Sequence, residues 1–261
     1  MYLEMLRENP LNFLIYLVYT FGVLLISLVL HECSHAYIAW RCGDPTAKML
    51  GRLTLDPRKH LDPIGSICLV LFGYGWAKPV PISPRFFKNG AKDDFLVSIA
   101  GIVMNLTLFL ISLALAVLVN RFLWTRDFYD YLAQNGNVPA TLSTGWNVGY
   151  QIYSGTLESR WMASVQAPWL LWVQRFLLMM ATVNLSLALF NFLPIPPLDG
   201  YHIVNDLLFK GRFSLNANTY RLSWMLLMFL CFSGILSQAL GIAHNAVYGA
   251  VLNLFLRIGG L

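Results

Sequence analysis

Four long stretches of this 261-residue sequence carry no charged side chain, and they set its solvent before any motif is read. No Asp, Glu, Lys or Arg lies between Glu8 and Glu32, from Phe95 to Asn120, from Phe176 to Leu198, or from Leu222 to Leu256. A helix of about 20 apolar residues crosses the hydrocarbon core of a bilayer. Composition agrees, with 57% apolar and 12% charged residues and a mean hydropathy of +0.59. Soluble domains sit near about 45–50% apolar and 25% charged, and a globule this apolar could not cover itself with polar side chains. The chain therefore reads as an all-α polytopic membrane protein, one domain over 1–261 with about four to five transmembrane helices and lipid as its principal partner.

Spans are expected at roughly 11–40, 94–120, 169–198 and 222–240. The uncharged stretch from Leu222 is too long for one span. It is either one helix plus an interfacial segment over 243–258 or a hairpin turning near Gly241. The first apolar run is too long for the core of a signal peptide and is expected to be retained. Between the first two spans, Gly65, Gly73 and Gly75 with Pro63, Pro79, Pro81 and Pro84 mark a re-entrant segment over 46–82, with extended pieces at Leu50–Leu55 and Ser66–Phe72. Non-helical backbone at membrane depth must line protein or water, so a polar cavity is expected nearby.

The net charge of +5 has a topological reading rather than a nucleic-acid one. Nine of the 18 Lys and Arg lie between Arg41 and Lys92, and three more lie between Lys210 and Arg221. The loop 121–168 is charge-balanced and rich in Trp and Tyr, as at a membrane interface. The positive-inside rule then places 41–92 and 210–221 in the cytoplasm, and the N-terminus and loop 121–168 outside. Arg175 is placed to snorkel toward an interface. The cysteines have no metal-site spacing and read as small buried hydrophobes.

The first apolar run ends in His31-Glu32-Cys33-Ser34-His35. Residues four apart share a helix face, so both imidazoles can address one metal, with Glu32 beside them as a base. This is the HExxH arrangement of zinc hydrolases. Intramembrane His and Glu are expensive to leave unpaired, which favours a site over a packing trio. A catalytic zinc takes three protein ligands and one water. Ile38 and Arg41 exclude the extended motif with a third His, and Glu158, the only later Glu, falls on the opposite side. Asp199 is the attractive candidate, although an Asp-Gly pair can also simply make a loop turn. Asp199 closes the third apolar run after Pro194, Pro196 and Pro197, which break the helix and bring an irregular segment to the cytoplasmic side. His60 reads as solvated, and His244 as the mark of a turn in the last run. His202, three residues after Asp199, reads as a surface or supporting histidine.

HExxH on the first helix, Gly101-Ile102-Val103-Met104-Asn105 on the next, and Asn191-Phe192-Leu193-Pro194 leading to Asp199-Gly200 on the third resemble the site-2 protease family. Gly51-Arg52-Leu53-Thr54-Leu55-Asp56-Pro57 and Gly75-Trp76-Ala77-Lys78-Pro79-Val80-Pro81 resemble its compact branch, without PDZ or nucleotide-sensing modules. The resemblance covers roughly residues 20–210. It implies an intramembrane metalloprotease with one Zn2+ held by His31, His35 and Asp199, and Glu32 as the catalytic base. It implies Asn105 and Asn191 as substrate-positioning residues, and segment 46–82 as a membrane-associated β-structure whose edge can pair with an unwound transmembrane substrate. A metal-binding transporter and a catalytically inactive scaffold of the same fold stand as alternatives.

Overall fold

The computed structural model describes residues 7, 10–62, 65, 77–134, 163–212 and 215–259. Its elements are α1 (Pro10–Cys42), α2 (Thr46–Met49), α3 (Ala91–Leu123), α4 (Arg126–Gln134), α5 (Leu170–Asn191), α6 (Asp199–Phe209), α7 (Ala217–Phe232) and α8 (Ile235–Ile258), with short 3-10 turns at Pro57–Lys59 and Pro84–Phe86. Helices α1, α3, α5 and α8 are long and apolar enough to cross a membrane. The protein is a mostly helical, multi-pass membrane protein.

Where each helix stops has a local cause. Helix α3 starts after Gly90, at φ 54°, with Asn89 capped by Asp93: the backbone N–H donates at 2.8 Å and Nδ2 at 3.1 Å. Helix α5 ends at Asn191, so the last residues of the expected span 169–198 form the proline-broken loop rather than helix. The expected span 222–240 is corrected. Helix α7 stops at Phe232, Gly234 turns the chain at φ 77°, and α8 runs unbroken through Gly241. The left-handed backbone that glycine tolerates is used at Gly234 and not at Gly241. His244 accordingly lies inside α8 and marks no turn.

The expected extended piece Leu50–Leu55 is also corrected. The chain there is a helix-terminal turn, with Arg52 N–H donating to Ala47 O at 2.8 Å and Gly51 at φ 65°. The piece Ser66–Phe72 lies outside the described residues. Among the described residues the segment's only strand-like pairing is an isolated antiparallel bridge, Leu61 with Ala77.

The contacts divide into two compact units. The first comprises 1–23, 108–182 and 247–261; the second comprises 24–107 and 183–246. In the first, the end of α3 is tied to the approach to α5 by the bridge Trp124–Val165, over a core of Leu123, Trp124, Val165 and Leu171. Loop 121–168 thus contains α4 and this bridge, while 135–162 lie outside the described residues. Arg175 does not snorkel. It is 2% exposed, with its guanidinium 5.6 Å from the centre of the Tyr19 ring.

The second unit holds three apolar clusters. Ala36, Ala47 and Val80 join α1 to the loops that follow it. Ile102, Ala188 and Ile203 join α3, α5 and α6. Leu198, Leu227 and Cys231 seat α7 on the loop before α6. Asn184 Nδ2 donates to Ser27 Oγ at 2.9 Å, pinning α5 to α1 through two fully buried polar side chains. Such bonds substitute for hydrophobic attraction, which lipid cannot supply between helices. His60 is also fully buried, with Nε2 donating to Thr54 O at 2.8 Å, so its solvated reading is corrected.

Candidate metal centre

The site lies wholly within the second unit. His31 and His35, four apart on α1, are each 6% exposed. Their Nε2 atoms stand 3.0 Å apart, and Asp199 Oδ2 lies 3.3 Å from the first and 3.4 Å from the second. Asp199 is the first residue of α6, not part of a loop turn. The helix forms there because Pro194–Pro197 cannot continue α5, and an acidic first residue suits the positive helix N-terminus. Gly200 holds the position: a Cβ there would collide with the carbonyl oxygens of Phe192 and Leu193.

These distances carry a chemical meaning. His35 Nδ1 must donate to Val97 O, at 2.7 Å. A neutral ring then leaves a bare lone pair on Nε2. His31 is braced through Nδ1 by the amide of Asn105, at 3.1 Å. Asn105 is fully buried and its Oδ1 has no partner as placed. Turning the amide end for end gives Oδ1 a proton from His31 Nδ1, which satisfies the orphan and frees Nε2 of His31 as well. Asp199 Oδ2 is buried and takes no well-formed hydrogen bond. Burial would raise the Asp199 carboxyl; only when the facing imidazoles carry protons do they outweigh it and hold the acid well below the usual carboxylate range.

Three lone-pair atoms therefore face one another across 3.0–3.4 Å. Ligand bonds of about 2.0–2.1 Å in a tetrahedral zinc site put neighbouring donors about 3.3 Å apart. Each second nitrogen is tied to a carbonyl or an amide, as metal-binding histidines require. The donor set fits Zn2+, and it is the one cluster of three or more candidate ligands found among the described residues.

The backbone of α3 forms one wall. A Cβ at Gly101 would fall 2.5 Å from His35 Nε2 and 2.6 Å from His31 Nε2, so only glycine leaves room for the imidazoles. Glu32, next to His31, is half-buried, and its Oε2 accepts the Val80 backbone N–H at 2.8 Å. Asn191 is half-buried at the last position of α5, with no side-chain hydrogen bond recorded among the described residues. His202 is turned away: its Nδ1 lies 3.8 Å from Asp94 Oδ2, and that carboxylate raises its pKa. Gly101, Val97 and Val80 were missed as site residues in the sequence. Only Gly101, inside a quoted motif, left any signal there.

Membrane helices, HExxH and a converging third donor define the class of a membrane-embedded metallopeptidase, and comparison with known proteins bears that out. The chain belongs to peptidase family M50, whose profile matches residues 19–234. Relatives of the chain are named "Putative zinc metalloprotease". YwhC of Bacillus subtilis (strain 168) is 37% identical over 249 residues, 95% of this chain and 94% of that protein. Rip2 of Mycobacterium tuberculosis (strain ATCC 25618 / H37Rv) is 29% identical over 251 residues, 90% of this chain and 79% of that protein. No solved structure matches the chain significantly.

Proposed function

We propose that this protein is a site-2-type intramembrane zinc metalloprotease that hydrolyses peptide bonds within transmembrane segments of other membrane proteins, as in regulated intramembrane proteolysis. The metal is Zn2+, in agreement with the family and its relatives. One observation carries the reading: His31, His35 and Asp199 bring three ligand atoms together at the end of a spanning helix, with a non-ligating glutamate beside them.

His31 Nε2, His35 Nε2 and Asp199 Oδ2 are the ligands. Bound zinc would supply Lewis acidity, bringing the pKa of a water toward about 7 and polarising a peptide carbonyl. Glu32 takes the water's proton during attack on the carbonyl and returns it to the departing amine. Asn105 acts through His31, since full burial suits a brace better than a substrate contact. Asn191, one loop away from Asp199, is the candidate for holding the scissile peptide. A substrate helix protects its own amides by hydrogen bonding, so it must unwind locally before attack. By the charge pattern, the site and the cleavage face the cytoplasm and the N-terminus faces outside.

A transporter reading has less support, because a transport site needs no base beside two ligating histidines. The test is co-expression with single-pass membrane proteins, comparing wild type with Glu32→Gln and Asp199→Ala and measuring bound zinc. Cleavage should vanish in both variants, with zinc retained only in Glu32→Gln. Cleavage unchanged in both would end the protease reading, and products ending in the outer leaflet would reverse the orientation.

A further inference from the structure

Glu32 is held from above by a strap of chain. Its Oε2 accepts the Val80 N–H at 2.8 Å, while no hydrogen bond to Oε1 is recorded among the described residues. Val80 stands between Pro79 and Pro81, which have no N–H to give. The 79–81 stretch therefore owns one backbone donor, and that donor points at Glu32.

The strap is pinned on both sides of this contact. Arg52 Nη2 donates to Lys78 O at 2.7 Å, and Lys78 N–H donates to His60 O at 2.8 Å. Beyond it, Ser83 N–H donates to Asp44 Oδ2 at 2.7 Å. The anchors are themselves buried: Arg52 is 7% exposed, and His60 and Asp44 are 0%. The Val80 side chain packs against Ala36 of α1, one turn beyond Glu32, and against Ala47. A donor fixed at this many points cannot drift with solvent. It clamps one carboxylate oxygen and leaves the other open.

We infer that the Val80 backbone N–H is a positioning donor for Glu32, locking the rotation of its carboxylate so that Oε1 addresses the water at the metal. This rests on the reading of Glu32 as the general base. The Pro-Val-Pro sequence acquires a chemical reason: it forbids helix and offers no competing amide, so the single N–H meets a single acceptor. A base misplaced by about 1 Å can lose roughly a hundredfold in rate, and an unclamped glutamate on a helix end has several rotamers in which to be misplaced.

Two measurements test it on the full chain in detergent. The first needs no activity. In the zinc-free protein, amide exchange at Val80 should accelerate at least about tenfold in Glu32→Ala through loss of local protection, while the Lys78 amide, bonded to His60, keeps its rate. An unchanged Val80 rate overturns the inference. The second uses a fluorescent transmembrane peptide that wild type cleaves and Glu32→Gln does not. Replacing the residue-80 amide by an ester, which deletes the N–H but keeps the side chain, should lower kcat roughly tenfold to a hundredfold. KM and bound zinc should stay unchanged. The same ester at Ile82, whose N–H the inference does not use, should keep most of its kcat. Equal losses in the two esters would assign the effect to the strap's backbone in general, and an unaffected residue-80 ester would remove it; either overturns the inference while leaving the protease reading intact. A wild type that cleaves no transmembrane peptide sinks both.

Discussion

Asn120, Gln174 and Arg175 in the first unit are 0–2% exposed, as deeply buried in apolar helices as His31 and His35 are in the second at 6%. In the first unit, donors meet acceptors. Asn120 Oδ1 receives Gln174 Nε2 at 2.7 Å and Trp124 Nε1 at 3.1 Å, and the Arg175 cation rests against the Tyr19 ring. Gln174 Oε1 is buried without a donor, yet donors outnumber acceptors in this set, so it leaves no group of lone pairs for a cation and serves as glue between helices. In the second unit, the outward nitrogens of the imidazoles are used up on Val97 and Asn105, and three lone-pair atoms are left facing one another. No rearrangement of protons satisfies all three while both rings stay neutral. A cation does. The histidines lie about as deep as the polar groups of the first unit, and the balance of donors against acceptors separates a structural cluster from a candidate metal centre.

The sharpest break of this contrast is a pair of ligand and glue variants. His35→Ala or Asp199→Ala should abolish bound zinc by elemental analysis, and Asn120→Ala should leave zinc at the wild-type level. Zinc retained in His35→Ala would move the metal elsewhere. Next comes Gly101→Ala, in which the added methyl displaces both ligating nitrogens. It should lose most of its zinc while melting near wild type, and normal zinc content would contradict the close approach of α3. Asn105→Ala is expected to weaken zinc binding by roughly 10- to 100-fold, the usual effect of losing a histidine brace, as read by chelator competition. Asn120→Ala should instead reduce stability by about 1–2 kcal/mol in detergent unfolding, with chelator competition unchanged.

The smallest effect concerns pH. Burial, aided by Asp94 and opposed by His202, pushes the Asp206 carboxyl up to about 6. A carboxyl raised in the folded state contributes stability that is complete below its unfolded value and is lost as pH rises through about 6. The melting temperature should therefore rise modestly as pH falls from 7.5 to 5.5, and Asp206→Asn should flatten that rise. A slope that persists in Asp206→Asn would assign it to another group.

What could be read from the sequence follows the range of each interaction. HExxH is legible because its geometry is local, two imidazoles one helical turn apart. Asp199 is reachable because, of the acids the charge pattern leaves on the cytoplasmic side, it closes the third apolar run directly after Pro194, Pro196 and Pro197. The walls and braces of the site are invisible by the same logic. Val97 contributes a carbonyl and Val80 an N–H, groups that every such residue possesses, and only tertiary structure selects them. Arg175 misled because a cation beside an apolar run normally reaches for water, whereas here an aromatic face from another helix shelters it. The turn before α8 was misplaced because Gly234 and Gly241 look alike as letters; what differs is the backbone, left-handed at the first and helical at the second.

The proposed ligands sit far apart in the chain, on α1 and at the start of α6. An ion gripping both ends closes a covalent-like loop that contains most of the chain, and closing a long loop removes conformational freedom from the unfolded protein. Zinc held there would be a cross-link as well as a reagent. Chelation should release the start of α6, and with it the α7 end seated on the preceding loop, before it disturbs the pairing of α1 with α5.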